Sequence, residues 1–159
     1  MEIRDAQPED AHSACEVVRR SISELCAADH GNDPIILSQW LKNKTPGNVA
    51  SWIAHPANSV LVAVEHGTIL AVGAVTDSGE VTLNYVSPDA RFRGVSRALL
   101  SALENRAAER GNMRCTLSST ETARSFYQAN GYVEDGRLDG KFGTSASYAM
   151  SKLLTTKNS

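Results

Sequence analysis

The chain lacks any apolar run approaching the roughly 20 consecutive residues that a membrane-spanning helix needs. Met1 is followed by charged residues rather than the apolar heart of a signal peptide, so the expectation is a cytoplasmic protein with no membrane contact. Cysteine is scarce and odd in number. Cys15, Cys26 and Cys115 stand far apart with no CxxC pair, which argues against a disulfide framework and reads as reduced, mostly buried thiols. His12, His30, His55 and His66 are equally scattered, so no metal site is expected. A net charge of −2 with acids and bases interspersed supplies no global field to recruit nucleic acid or an anionic membrane. Any anion site must therefore be local. There is no internal repeat and no low-complexity linker.

What is present is a regular alternation of elements. A chain of 159 residues suits one domain that buries about two thirds of its unfolded surface. We read that domain as residues 1–153, with a frayed tail at 154–159. Met1 to Asp5 is a short strand, and Pro8-Glu9-Asp10 opens a helix whose Ala14, Val17, Val18, Ile22 and Leu25 share one face. Ala27 to Pro34 is turn-rich and reads as a surface loop. Ile35–Lys42 and Pro46–Ile53 read as two short helices, each with one Trp. Ser59–Val64 and Ile69–Thr76 form a hairpin, and Asp77-Ser78-Gly79 turns the chain into a strand over Glu80–Val86. Beyond it come a helix starting near Gly94, a strand at Met113–Leu117 and a helix at Glu121–Ala129. Tyr132–Leu138 and Ser145–Leu153 are the last strands.

The chain is organised around Glu80 to Leu103. Val81, Leu83 and Tyr85 alternate with Glu80, Thr82 and Asn84, the period of a half-buried strand, and Pro88 ends it. From Ala98 the apolar residues Leu99, Ala102, Leu103 and Ala107 fall on one helical face. Between the two lies Arg91-Phe92-Arg93-Gly94-Val95-Ser96. A helix start presents unpaired N–H groups and the positive end of the dipole, so such a loop can wrap a phosphate. The same residues also serve turn chemistry and solubility, and the loop alone does not decide between these uses.

Two blocks together carry more. Arg91, Gly94 and Ser96 match an Arg-x-x-Gly-x-Gly/Ala signature, preceded by Val86-Ser87-Pro88-Asp89 and followed by Ala98-Leu99-Leu100. Further on, Ala123, Phe126, Tyr127, Gly131 and Tyr132 match A-x-x-F-Y-x-x-x-G-F/Y. In this order and register the chain resembles the GNAT superfamily of acetyl-CoA-dependent N-acetyltransferases. The resemblance is sharp from Glu80 to Tyr132. Ser96 replaces the usual Gly or Ala, and Thr120 stands where many members have Asn.

The resemblance implies an α/β (α+β) domain. Its sheet is mostly antiparallel, has six to seven strands splayed between strands 4 and 5, and is flanked by about four helices. It implies an acyltransferase that moves the acetyl group of acetyl-CoA directly to a primary amine of a small molecule or peptide. The backbone of Asn84, Tyr85 and Val86 would bind the pantetheine arm. Arg91, Phe92, Arg93, Gly94, Val95 and Ser96 would hold the pyrophosphate, with Thr120 and Phe126 nearby. Arg97 is either a further contact or a solvated helix residue.

Tyr127 would protonate the departing thiolate, its alternative being a core aromatic. Glu80 would accept the amine proton, its alternative being an exposed strand residue. The acceptor pocket would lie between Cys26–Trp40 and Gly136–Ser147. There Asp29 and Asp33 either meet a cationic acceptor or simply form turns. Exposed strand edges are compatible with a homodimer. The rivals are a non-catalytic module that senses acyl-CoA and a nucleic-acid-binding protein using its Arg cluster. The acidic balance speaks against the second.

Overall fold

The computed structural model describes residues 1–138 and 147–154. Among these the alternating and apolar runs become seven strands in two sheets. β1 (Glu2–Asp5), β2 (Asn58–Glu65), β3 (Thr68–Thr76) and β4 (Val81–Val86) pair antiparallel in that order. β5 (Arg114–Thr120), β6 (Val133–Leu138) and β7 (Ser147–Leu153) form the second sheet, with β7 in the middle. The loop expected between the last two strands and the tail 155–159 lie outside the described residues.

β2 and β3 are apolar almost throughout because both of their faces are covered. Leu61, Ala63, Ala71 and Val75 pack under Leu99, Leu100 and Leu103 of α5 (Val95–Glu109). Val60, Val62, Val72 and Ala74 pack under Val18 and Ile22 of α1 (Ala11–Leu25). Trp40 of α3 (Pro34–Leu41) and Val49 of α4 (Pro46–Ala54) complete that second layer. α6 (Arg124–Ala129) follows β5. Asp33 caps α3 by accepting from the N–H of Ile35 at 2.9 Å, and Thr45 caps α4 by accepting from that of Asn48 at 3.1 Å.

One segment departs from expectation. Ala27 to Pro34 does not run as a surface loop: its first residues form a single turn, α2 (Ala27–His30), stopped by Gly31 in the left-handed region. Asp29 and His30 are buried there. His30 Nδ1 accepts from the Asn32 N–H at 3.0 Å while Nε2 donates to Ile22 O at 2.9 Å. Residues read as solvent-facing turn formers instead satisfy groups inside the fold.

Among the described residues the two sheets are bridged at one point. Thr116 N–H donates to Gly79 O at 3.0 Å, and Glu80 and Thr116 make a single parallel bridge. A Cβ on Gly79, whose φ is +87°, would lie 2.6 Å from Arg114 O, so only glycine lets the strands touch here. Past that bridge β4 and β5 diverge, which is the expected splay.

Candidate active site

Because β5 leaves it, β4 has no strand partner along its outer edge beyond Glu80 among the described residues, and its main chain faces a gap. The gap holds a cleft of about 180 Å³. Its walls are β4 from Val81 to Val86, β5 from Leu117 to Thr120, Tyr127 of α6, and Ser21, Leu25 and Cys26 at the end of α1. Thr82 is the extra residue of a bulge, since Ala74 pairs with Leu83 while Val75 pairs with Val81. Such a bulge re-aims the strand beside the cleft.

Tyr127 is only 7% exposed, and its hydroxyl accepts from Asn84 Nδ2 at 3.3 Å across the gap. Burial pushes the phenol above its ordinary value, partly opposed by the Asn84 hydrogen bond. It therefore remains a proton donor throughout the neutral range. Phe126 and Tyr132 hold the ring edge-on at 5.2 and 5.6 Å between centroids. Asn84 Oδ1 is buried without a hydrogen-bond partner, an acceptor left open in the wall. Thr120 lines the cleft and steadies the approach to α6 by accepting from Ala123 N–H at 3.2 Å.

At the start of α5 the chain turns through Gly94 with φ +75°, and no side chain caps the helix. A Cβ on Gly94 would meet nothing within 4 Å, so the space before these N–H groups is open. Val95 is buried and anchors the first turn, with Ser96 half-buried beside it. Phe92 is 89% exposed in the left-handed region with the Arg91 guanidinium 4.4 Å over its ring. Arg93 is engaged elsewhere: its Nη2 lies 2.7 and 2.9 Å from the two oxygens of Glu65. Arg91 and Arg97 are exposed and have no carboxylate partner among the described residues.

The remaining expected residues separate. Glu80 is exposed at the closed end of the gap, with its N–H held by Thr76 Oγ1 at 3.1 Å, and it does not line the cleft. Asp33 is occupied as a helix cap. Asp29 is 4% exposed; its Oδ1 accepts from Thr122 N–H at 3.1 Å, tying α2 to the loop after β5, and its Oδ2 is buried unpaired. Cys26 faces the cleft, yet burial and then the Asp29 charge push its thiol up to about 12, leaving it neutral and weakly nucleophilic. Tyr85 is likewise pushed up, mainly by burial.

Residues 26–153 match the family model described as an acetyltransferase (GNAT) domain. The chain belongs to the GNAT acetyltransferases. No curated protein sequence matches it. Among solved structures, a GCN5-related N-acetyltransferase from Rhodopseudomonas palustris superposes with a TM-score of 0.85 at 25% identity, covering 96% of this chain and 95% of that one. The PaiA N-acetyltransferase from Thermoplasma acidophilum, solved in complex with coenzyme A, gives 0.81 at 19% identity over 96% and 98%. The aminoglycoside 6'-N-acetyltransferase from Enterococcus faecium gives 0.74 at 15% identity over 100% of both chains.

For a GNAT acetyltransferase the splayed gap and the uncapped α5 start suit a coenzyme A thioester. The open β4 edge offers main-chain hydrogen bonds to an amide-bearing arm, and the Gly94 turn offers N–H donors to a diphosphate. Among the described residues there is no cluster of three or more His, Cys, Asp or Glu side chains able to hold a metal, and no helix long and apolar enough to cross a membrane. The sequence reading missed Ser118, Ser119, Ser21 and Leu25 as cleft walls. A readable signal existed: Cys115, Leu117 and Ser119 alternate on the buried side of β5, which puts a serine where a core residue belongs.

Proposed function

We propose that the protein transfers the acetyl group of acetyl-CoA directly to a primary amine of a small molecule or peptide. The observation that carries this reading is the buried Tyr127 hydroxyl in the β4–β5 gap, downstream of a helix start with open N–H donors. Asn84, Tyr85 and Val86 align the pantetheine arm along β4. Val95, Ser96 and Arg97 give N–H groups to the diphosphate, with Arg91 and the Arg97 side chain adding charge. The neutral amine nitrogen bonds to the acetyl carbon and the carbon–sulfur bond breaks. Tyr127 gives its proton to the departing sulfur and regains one from solvent, and the amine proton leaves through water. Glu80 serves as terminal acceptor of that proton, from outside the cleft. Cys26 forms no acyl-enzyme, because its thiol stays protonated.

Calorimetry with coenzyme A and thiol release from acetyl-CoA across a panel of amines test the proposal. Binding without thiol release from any amine would instead support a non-catalytic acyl-CoA sensor. Replacing Tyr127 by Phe is expected to lower kcat by about 100-fold or more while coenzyme A affinity changes little. Equal turnover in the variant removes the acid role.

A further inference from the structure

A second, larger hollow lies beside the cleft, and none of the residues read from the sequence as acceptor contacts lines it. This groove of about 710 Å³ runs between α4 and the ends of β2, β3 and β4, within the size range of small-molecule sites. Trp52 of α4 and Leu83 of β4 stand half-buried along it, and Ala74 forms part of its floor. Its open surface is mostly carbon, with hydroxyls and amides from Thr76, Ser78 and Asn58 around it. Thr82 and Leu83 line both the groove and the cleft, so the two hollows share a wall at the β4 bulge.

The geometry points to this groove as the seat of the acceptor's body, an aromatic or branched apolar group carrying one primary amine that reaches past Thr82 into the cleft. Calling its occupant the acceptor rests on the acetyl-transfer reading above. Trp52 lines the groove half-buried, with no aromatic ring paired with it among the described residues, so a flat apolar body has an indole to pack on. The charge of the walls selects against polycations. Asp77 is the one carboxylate among the described lining residues, and it lies 4.0 Å from Arg110. Lys44 is itself part of the wall, its ammonium donating to Asn43 Oδ1 at 2.7 Å. A polyamine or an aminoglycoside brings several ammonium groups and needs a carboxylate for each, whereas the described lining of this groove offers one.

Isothermal titration with 2-phenylethylamine and with spermidine, with and without coenzyme A, tests the assignment. Saturable heat is expected with the aromatic amine, and spermidine should bind roughly tenfold more weakly or worse. Ser51→Phe places a ring into the groove from the exposed face of α4. It should weaken the aromatic amine by roughly tenfold while leaving coenzyme A binding unchanged. Ala57→Leu fills the same groove from the neighbouring turn and replaces that test if Ser51→Phe disturbs coenzyme A binding. No saturable heat with 2-phenylethylamine, tighter binding of spermidine, or unchanged affinity in the variants overturns the assignment. Thiol release in the same samples separates the two claims. An amine that occupies the groove while neither it nor any other amine of the panel releases thiol sinks acetyl transfer and leaves an amine-binding groove. Release with an unchanged KM in Ser51→Phe sinks the groove and leaves acetyl transfer standing.

Discussion

At the scale of single residues, what matters at Tyr127 is that burial holds its proton on. A phenol titrates near 10 in water, and desolvation moves Tyr127 upward, so its acid form persists beyond that value. The expected pH profile of kcat therefore shows no basic limb from Tyr127 between pH 7 and 9. Any limb found there that persists in Tyr127→Phe belongs to another group. Residue identity in this site was legible only in part. The positions of Tyr127 at the cleft and Gly94 at the start of α5 were readable because each belongs to a local motif. Asp29 and Asp33 looked alike in sequence, and tertiary placement separated them: one caps α3 and the other is buried against Thr122. Arg93 looked like a phosphate ligand, but the fold brings Glu65 to it from β2, a pairing between positions 28 apart in the chain.

The three arginines should accordingly differ. Arg91→Gln and Arg97→Gln are each expected to weaken coenzyme A binding several-fold at low salt, roughly 0.5–1 kcal/mol apiece, with the loss shrinking as salt rises. Arg93→Gln should cost less, since its charge already faces Glu65. Titrations at two ionic strengths check the order, and an equal loss from all three would show that Arg93 abandons Glu65 for the ligand.

At the scale of elements, the strand and helix periods were readable where packing is one-sided or uniform, as in β2, β3, α1 and α5. The misreadings come from polar residues with hidden duties. β5 was expected to end at Leu117, where the apolar residues give way to Ser118, Ser119 and Thr120. They continue the ladder opposite Ala149, Tyr148 and Ser147 of β7, and their polarity belongs to the cleft they line.

The join of β1 to α1 gives a pH prediction. Asp10 accepts from Arg4 at 2.7 Å and from Gln7 N–H at 2.7 Å, and the Arg4 hydrogen bond chiefly holds its carboxyl below the ordinary value. A depressed folded value means that the stabilisation is complete above the unfolded value of roughly 3.9 and disappears as pH falls through the folded one. Asp10→Asn is expected to lower stability by about 1–2 kcal/mol at pH 7, with the gap to wild type closing in acid, below the unfolded value. Urea unfolding at pH 7 and in acid measures it, and a gap that persists in acid would mean that the lost contact is not electrostatic.

At the scale of the whole molecule, two sheets share one helix layer while their strands touch at a single point. α5 packs on β2 and β3 and also meets the second sheet, where Tyr132 donates to Glu104 Oε2 at 2.8 Å and Lys152 lies 3.0 Å from Glu104 Oε1. Across the gap itself the ties are the Gly79–Thr116 hydrogen bond, Asn84 to Tyr127, and Asp29 to Thr122. Gly79 is the hinge pin of this arrangement, because a methyl there would press on Arg114 O at 2.6 Å in a backbone conformation that L residues rarely adopt. Gly79→Ala must therefore push β4 and β5 apart at their closed end, at a cost of about 1–3 kcal/mol. The cleft that depends on that closed end should widen with it, so coenzyme A binding should fall along with stability. Gly73→Ala provides the contrast. Its Cβ would crowd the Leu103 and Leu99 side chains under α5 at 2.8 and 3.1 Å, on the helix-covered face of the sheet rather than against β5, and those side chains can shift. Stability should drop with little change in coenzyme A affinity. If thermal unfolding and calorimetry show the two variants losing stability and affinity in the same proportion, the bridge at Gly79 does not set the width of the site.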